Sequence, residues 1–156
     1  MPKITGFGKE EELQTYLLKS SNMWKVEDRL TPSYGNIREK LTELNVGWGK
    51  KIDMLARSKD NELVVIELKL HKADYKAFGQ ILCYILLIKS LRFIQKDYKE
   101  VRGIILANEI DDSLKKIVEE YKHWRTQIKD IPRINLKEYE TPPNTKDISN
   151  VVDVTP

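Results

Sequence analysis

The chain has 156 residues, 40% of them hydrophobic and 33% charged, with 27 basic against 24 acidic side chains and a net charge of +3. That length fits one domain with a sizeable core, and so slight a basic excess does not by itself mark a nucleic-acid binder. The single Cys83 excludes an internal disulfide and suits a reducing compartment. The opening MPKITGFGKEEEL has no apolar signal core, and the longest apolar run, Ile81 to Ile88, is far too short to span a bilayer. The expectation is a soluble, cytoplasmic protein that does not enter membranes.

In chain order, residues 9–20 read as a helix with Leu13, Tyr16 and Leu17 in phase. Glu10, Glu11 and Glu12 crowd its first turn, where the helix dipole favours negative charge. Only Glu10 shares the Leu13/Leu17 face, so it alone points toward the core edge; duty to the dipole is the competing explanation. Residues 21–45 read as an insertion: Met23 to Leu30 as a strand, Thr31-Pro32-Ser33 as a turn or helix start, and Ile37 to Leu44 as a short helix. Gly47-Trp48-Gly49-Lys50-Lys51 leads into a strand carrying Asp53. There Trp48 can stack on a base and Lys50 and Lys51 can hold phosphate, or Trp48 can simply pack on the core.

A hairpin turn at Lys59-Asp60-Asn61-Glu62 precedes a strand over 63–70. Leu63 to Ile66 is continuously apolar, as in a central strand buried on both faces. Period-two alternation puts Glu67 and Lys69 on one face and Val64, Ile66, Leu68 and Leu70 on the other. A helix from about Asp74 to Tyr98 follows, with Gln80 and Tyr84 on the same face as Ala77, Leu87 and Leu91. Lys72 and Lys76 precede Gln80 on the same helix and, with Lys50 and Lys51, make a candidate positive rim. The chain then reads strand 101–107, helix 111–127, strand 133–139, and a tail over 141–156 outside a single domain of residues 1–140. The order argues an α/β fold with a mixed central sheet and helices on both faces.

Two opposite charges on the inner face of a buried strand are costly to desolvate, and chains tolerate them mostly for chemistry or metal binding. Metal-assisted phosphodiester hydrolysis needs this set. Mg²⁺ (or Mn²⁺) takes one or two carboxylates plus oxygens of phosphate and water, here Asp53, Glu67 and the backbone carbonyl of Leu68. Lys69, about 7 Å along the strand from Glu67, reaches the attacking water or the scissile phosphate. The buried polar tips of Gln80 and Tyr84 need partners, which a carboxylate–lysine site supplies. The bland alternatives are a surface ion pair for Glu67 and Lys69, ordinary core for Tyr84, and a capped sheet carbonyl for Gln80. His71 and His123 lack metal-ligand spacing with Cys83, and no glycine-rich phosphate loop or nucleophile elbow occurs.

Ile52-Asp53, Val65-Ile66-Glu67-Leu68-Lys69, Gly79-Gln80 with Tyr84, and Val101-Arg102-Gly103-Ile104 together resemble the PD-(D/E)xK nuclease superfamily. Within its RecB-like branch they are similar to the catalytic domain of NucS-type endonucleases, over about residues 9–140. The resemblance implies a restriction-endonuclease-like core and a divalent-metal nuclease acting on DNA. It also selects Glu10, because the family carries a Glu three residues before a Leu in its first helix. The sequence departs from the pattern at Ile52, where the superfamily often has Pro, and in the long interval before Asp53. It also shows no counterpart of the separate N-terminal DNA-binding domain of NucS proteins. Two other functions fit the same pattern: a nucleic-acid-binding module without turnover, and a junction-resolvase-like homodimer using the apolar 81–88 run as its interface.

Overall fold

The computed structural model describes residues 4–33, 52–90, 97–128 and 130–156. Among the described residues ten elements follow one another. They are α1 (Glu10–Leu17), α2 (Ser20–Met23), β1 (Thr31–Pro32), β2 (Met54–Arg57), β3 (Glu62–Ala73), α3 (Tyr75–Lys89), β4 (Glu100–Ile110), α4 (Asp112–Arg125), β5 (Ile134–Glu140) and β6 (Asn150–Asp153). The strands form one six-stranded sheet in the order β1-β2-β3-β4-β5-β6. The β3/β4 and β4/β5 pairs are parallel, each joined across a helix, and the other three pairs are antiparallel. The mixed sheet with helices on both faces is therefore present as expected. The helix expected at 37–44 lies outside the described residues, as do Trp48, Lys50, Lys51 and Leu91.

Two apolar layers sandwich the sheet. Leu63, Val65, Val101, Ile105 and Leu136 face α3 and α4, while Val64, Ile66, Leu68, Ile104 and Leu106 face α1 and α2. β3 sits between β2 and β4, and Leu63 to Ile66 are all fully buried, which accounts for their unbroken apolar run. On α3 the buried stripe is Ala77, Ile81, Tyr84, Ile85 and Ile88; Leu87 is only half-buried. The helix starts at a cap in which the Asp74 side chain accepts from the Lys76 N–H at 3.0 Å, and it ends at Lys89, short of the expected Tyr98. Tyr98 instead packs into the core ahead of β4.

Gly103 lets α3 approach. A Cβ there would lie 2.7 Å from Ile81 Cδ1 and 2.8 Å from Ile85 Cδ1, both on the stripe that carries Tyr84. Gly103→Val raises local strand propensity yet must push α3 outward. We expect it to destabilise the fold by about 2–3 kcal/mol, at the upper end of overpacking costs, read as a lower urea midpoint with an unchanged slope. A valine variant as stable as wild type would remove close packing as the reason for this glycine.

Three local expectations are corrected. Met23, Val26 and Leu30, read as a strand, belong to a helical turn and the turns after it, all three buried. Their spacing of three and four is that of a winding chain rather than of a strand. Thr31-Pro32, read as a turn, is an edge strand, a place where proline's missing N–H costs little. The segment after Glu140, read as a tail, is part of the domain. β6 pairs with β5 through Glu140↔Asn150 to Lys137↔Asp153, and Ile148 is buried in the α1-side core. Gly6 has room for no Cβ because Thr145 O occupies that space, so the N-terminal segment packs tightly on this return.

Candidate active site

Asp53 lies one residue ahead of β2, and the last ladder pair, Met54↔Ile66, brings it across from Glu67. Its Oδ2 accepts the Leu68 N–H at 2.9 Å, a bond the ladder would otherwise have supplied from β2. In a strand the N–H and C=O of one residue point to the same edge, so the Leu68 carbonyl opens on the Asp53 side too. Glu67 is 5% exposed, and Lys69, with a side chain 30% exposed, puts its Nζ 3.4 Å from Glu67 Oε1. Beyond Lys69 the register slips: Lys69 faces Ala107 but Lys72 faces Glu109, a bulge at the end of the site. The bulge carbonyl of Leu70 accepts from the fully buried Tyr139 hydroxyl at 2.6 Å.

The electrostatics are those of a buried carboxylate pair. Burial, and then the Asp53 charge, push the Glu67 carboxyl up to about 7 against the opposing pull of Lys69. Burial also raises Asp53, with the Leu68 N–H acting against it and the Glu10 charge adding to it. Glu67 Oε2 and Gln80 Oε1 are buried and make no hydrogen bond among the described residues. Tyr84, 4% exposed, has its hydroxyl pushed up to about 12 by burial and by the charges of Glu67 and Asp53. α3 thus brings the Tyr84 hydroxyl to the Glu67 face of β3, and Gln80 lies one turn before Tyr84 on the same helix.

Glu10 is exposed, but its charge acts on both Asp53 and Tyr139, whereas Glu12 pairs with Lys146 at 2.5 Å. The positive rim is corrected. Lys72 belongs to β3, not to the helix, and is 3.2 Å from Asp111 with Glu109 and Asp112 also near. Lys76 is exposed in the first turn of α3, with no acidic partner among the described residues. Arg102, part of the matched motif, lies away from the carboxylates. It is buried with its Nε 3.1 Å from Glu62 and its Nη2 on Glu27, tying the α2 segment to the sheet.

One residue was missed. Gln14 Nε2 donates to the backbone carbonyl of Asp53 at 2.7 Å. The only signal in the sequence was its position four residues after Glu10 on the same helix.

The donors suit a hard divalent cation. Two adjacent carboxylates, one with an unpartnered oxygen, and an open carbonyl leave the remaining positions for water and phosphate, as Mg²⁺ prefers. No group of three or more His, Cys, Asp or Glu side chains converges among the described residues.

The family model described as the endonuclease NucS C-terminal domain matches residues 33–145. Endonuclease NucS of Pyrococcus horikoshii is 31% identical over 113 residues, which is 72% of this chain and 38% of the relative. That of Pyrococcus abyssi is 31% identical over the same share of this chain and 39% of its own. This chain thus spans about two fifths of the curated relatives it matches. Among solved structures, a repair endonuclease from Pyrococcus abyssi superposes with a TM-score of 0.59 at 24% identity, over 87% of this chain and 49% of that one. An EndoMS–dsDNA complex gives 0.57 at 23%, over 91% and 48%. Both likenesses show a shared fold.

Proposed function

The chain belongs to the family of endonuclease NucS C-terminal domains, and from that premise we propose that it is a divalent-metal-dependent nuclease domain that hydrolyses phosphodiester bonds in DNA. The observation that carries this reading is Glu67: buried beside a second carboxylate, with one oxygen unpartnered and a lysine 3.4 Å from the other. A surface ion pair needs none of that, and a buried pair kept for stability alone is a poor bargain. The mixed sheet with helices on both faces suits a restriction-endonuclease-like core of the RecB-like branch of PD-(D/E)xK enzymes.

In this reading Asp53, Glu67 and the Leu68 carbonyl hold Mg²⁺ or Mn²⁺. The bound ion supplies a water of lowered pKa and positive charge against the transition state. Lys69 Nζ holds the attacking water or the scissile phosphate on the solvent side of Glu67. Gln80 and Tyr84 offer an amide and a hydroxyl to the same space, and Glu10 stands outside the ligand pair, able to act through water. DNA is favoured because similar proteins are a repair endonuclease and one solved with double-stranded DNA.

The test is incubation with plasmid, single-stranded, mismatched and branched DNA in Mg²⁺ or Mn²⁺. We expect metal-dependent cleavage of at least one substrate, abolished by EDTA and lowered at least 10²-fold in Asp53→Ala. No cleavage of any of them, or equal cleavage by Asp53→Ala, would overturn the reading.

A further inference from the structure

We infer that Gln14 is a positioning residue that sets the orientation of Asp53 from across the domain, an inference that rests on Asp53 being a metal ligand. Asp53 stands just outside the β2 ladder, which begins at Met54, so the sheet holds it on its C-terminal side only. Two further hydrogen bonds hold it among the described residues. The Leu68 N–H holds the carboxylate at 2.9 Å, and the Gln14 amide holds the backbone carbonyl at 2.7 Å. The first fixes one carboxylate oxygen; the second fixes the rotation of the residue about its backbone. Together they restrict how Asp53 can turn.

The clamp comes from α1, whose Leu13 and Leu17 are fully buried against the sheet. A helix anchored in this way is a rigid platform, and rigid platforms place ligand-orienting groups better than loops do. Gln14 lies one turn beyond Glu10, whose charge already acts on Asp53. One helix therefore brings both residues to bear on Asp53, Gln14 on its backbone carbonyl and Glu10 on its carboxyl. Groups that orient metal ligands commonly change metal affinity about 10–100-fold when removed.

The alternative is that Gln14 merely tethers α1 to the sheet, which would alter stability and leave the site unchanged. Gln14→Met keeps length and helix propensity and removes the donor. Gln14→Glu keeps the shape and, when ionised, can only accept, so it serves if the methionine variant fails to fold. Each is compared with wild type by thermal unfolding, Mn²⁺ calorimetry, kcat and KM on a cleaved DNA, and hydrogen exchange at the Leu68 amide. The expected result is a folded protein with faster Leu68 exchange, Mn²⁺ affinity weaker by about 10-fold or more, and kcat lowered with KM nearly unchanged. Wild-type Mn²⁺ affinity in a folded variant would overturn positioning, and unchanged Leu68 exchange would show that the amide does not hold Asp53. The exchange measurement needs no metal. If wild type itself binds no Mn²⁺, it is the nuclease reading that fails, and Leu68 still reports whether Gln14 holds Asp53.

Discussion

Lys69→Met should fold, bind Mn²⁺ and bind DNA, yet lose cleavage by about 10²-fold or more, as for other positioned proton-transfer or charge-stabilising groups. The side chain sits between two environments, its ammonium 3.4 Å from the buried Glu67 and its stem 30% exposed toward the side from which substrate must arrive. A lysine serving only to neutralise Glu67 would affect folding first. Its loss would leave the carboxylate pair unrelieved, and Glu67, already pushed up to about 7, would hold its proton more tightly still. The comparison therefore belongs at pH 8 with saturating Mn²⁺, where Glu67 is ionised in both proteins. Lys69→Arg should not restore activity, because a planar, permanently protonated guanidinium cannot pass a proton. Cleavage by Lys69→Met near the wild-type rate would make the lysine structural.

Glu67→Gln should produce a protein that is inactive and, above neutral pH without metal, more stable than wild type. A carboxyl held at about 7 in the fold and at 4.5 as a free model group binds more protons folded than unfolded between those values. The sign follows directly. Below about pH 4.5 both states are protonated and the group costs nothing. As pH rises through 7 the folded state must carry a charge that burial and Asp53 disfavour, so stability falls. The full span corresponds to at most about 3 kcal/mol, reduced in the variant by whatever partner its new amide lacks.

Wild type and Glu67→Gln should therefore unfold at similar temperatures near pH 4.5 and diverge by several degrees at pH 8 in EDTA. Added Mn²⁺ should then stabilise wild type alone. Parallel curves across that range would mean that Glu67 is not a strained carboxylate. The same proton competes with metal, so apparent Mn²⁺ affinity and cleavage rate should both rise from pH 6 to 8.

Much of the site was legible because its signals are local. Glu67 and Lys69 share a face through the two-residue period of β3, and Gln80 and Tyr84 share one through the helical period of α3. The unbroken apolar run at Leu63 to Ile66 marked β3 as central, which put those charges inside. The misreadings were of another kind. Lys72 was assigned to a helix because the strand runs on through its bulge to Ala73. The chain after Glu140 looked like a tail because a four-residue edge strand with one exposed side carries almost no periodicity.

By itself the sequence determined which side chains face which way along β3 and α3, and hence that Glu67 and Lys69 share one face of the strand. Only the tertiary structure decided what holds those groups in place. Gln14 meets the Asp53 carbonyl across 39 residues of chain, and Tyr139 meets the Leu70 carbonyl across 69. Arg102 meets Glu27 across 75. Periodicity reports which face of an element is buried. It carries no record of which distant polar group the folded chain returns to that face, because that depends on sheet order and helix placement.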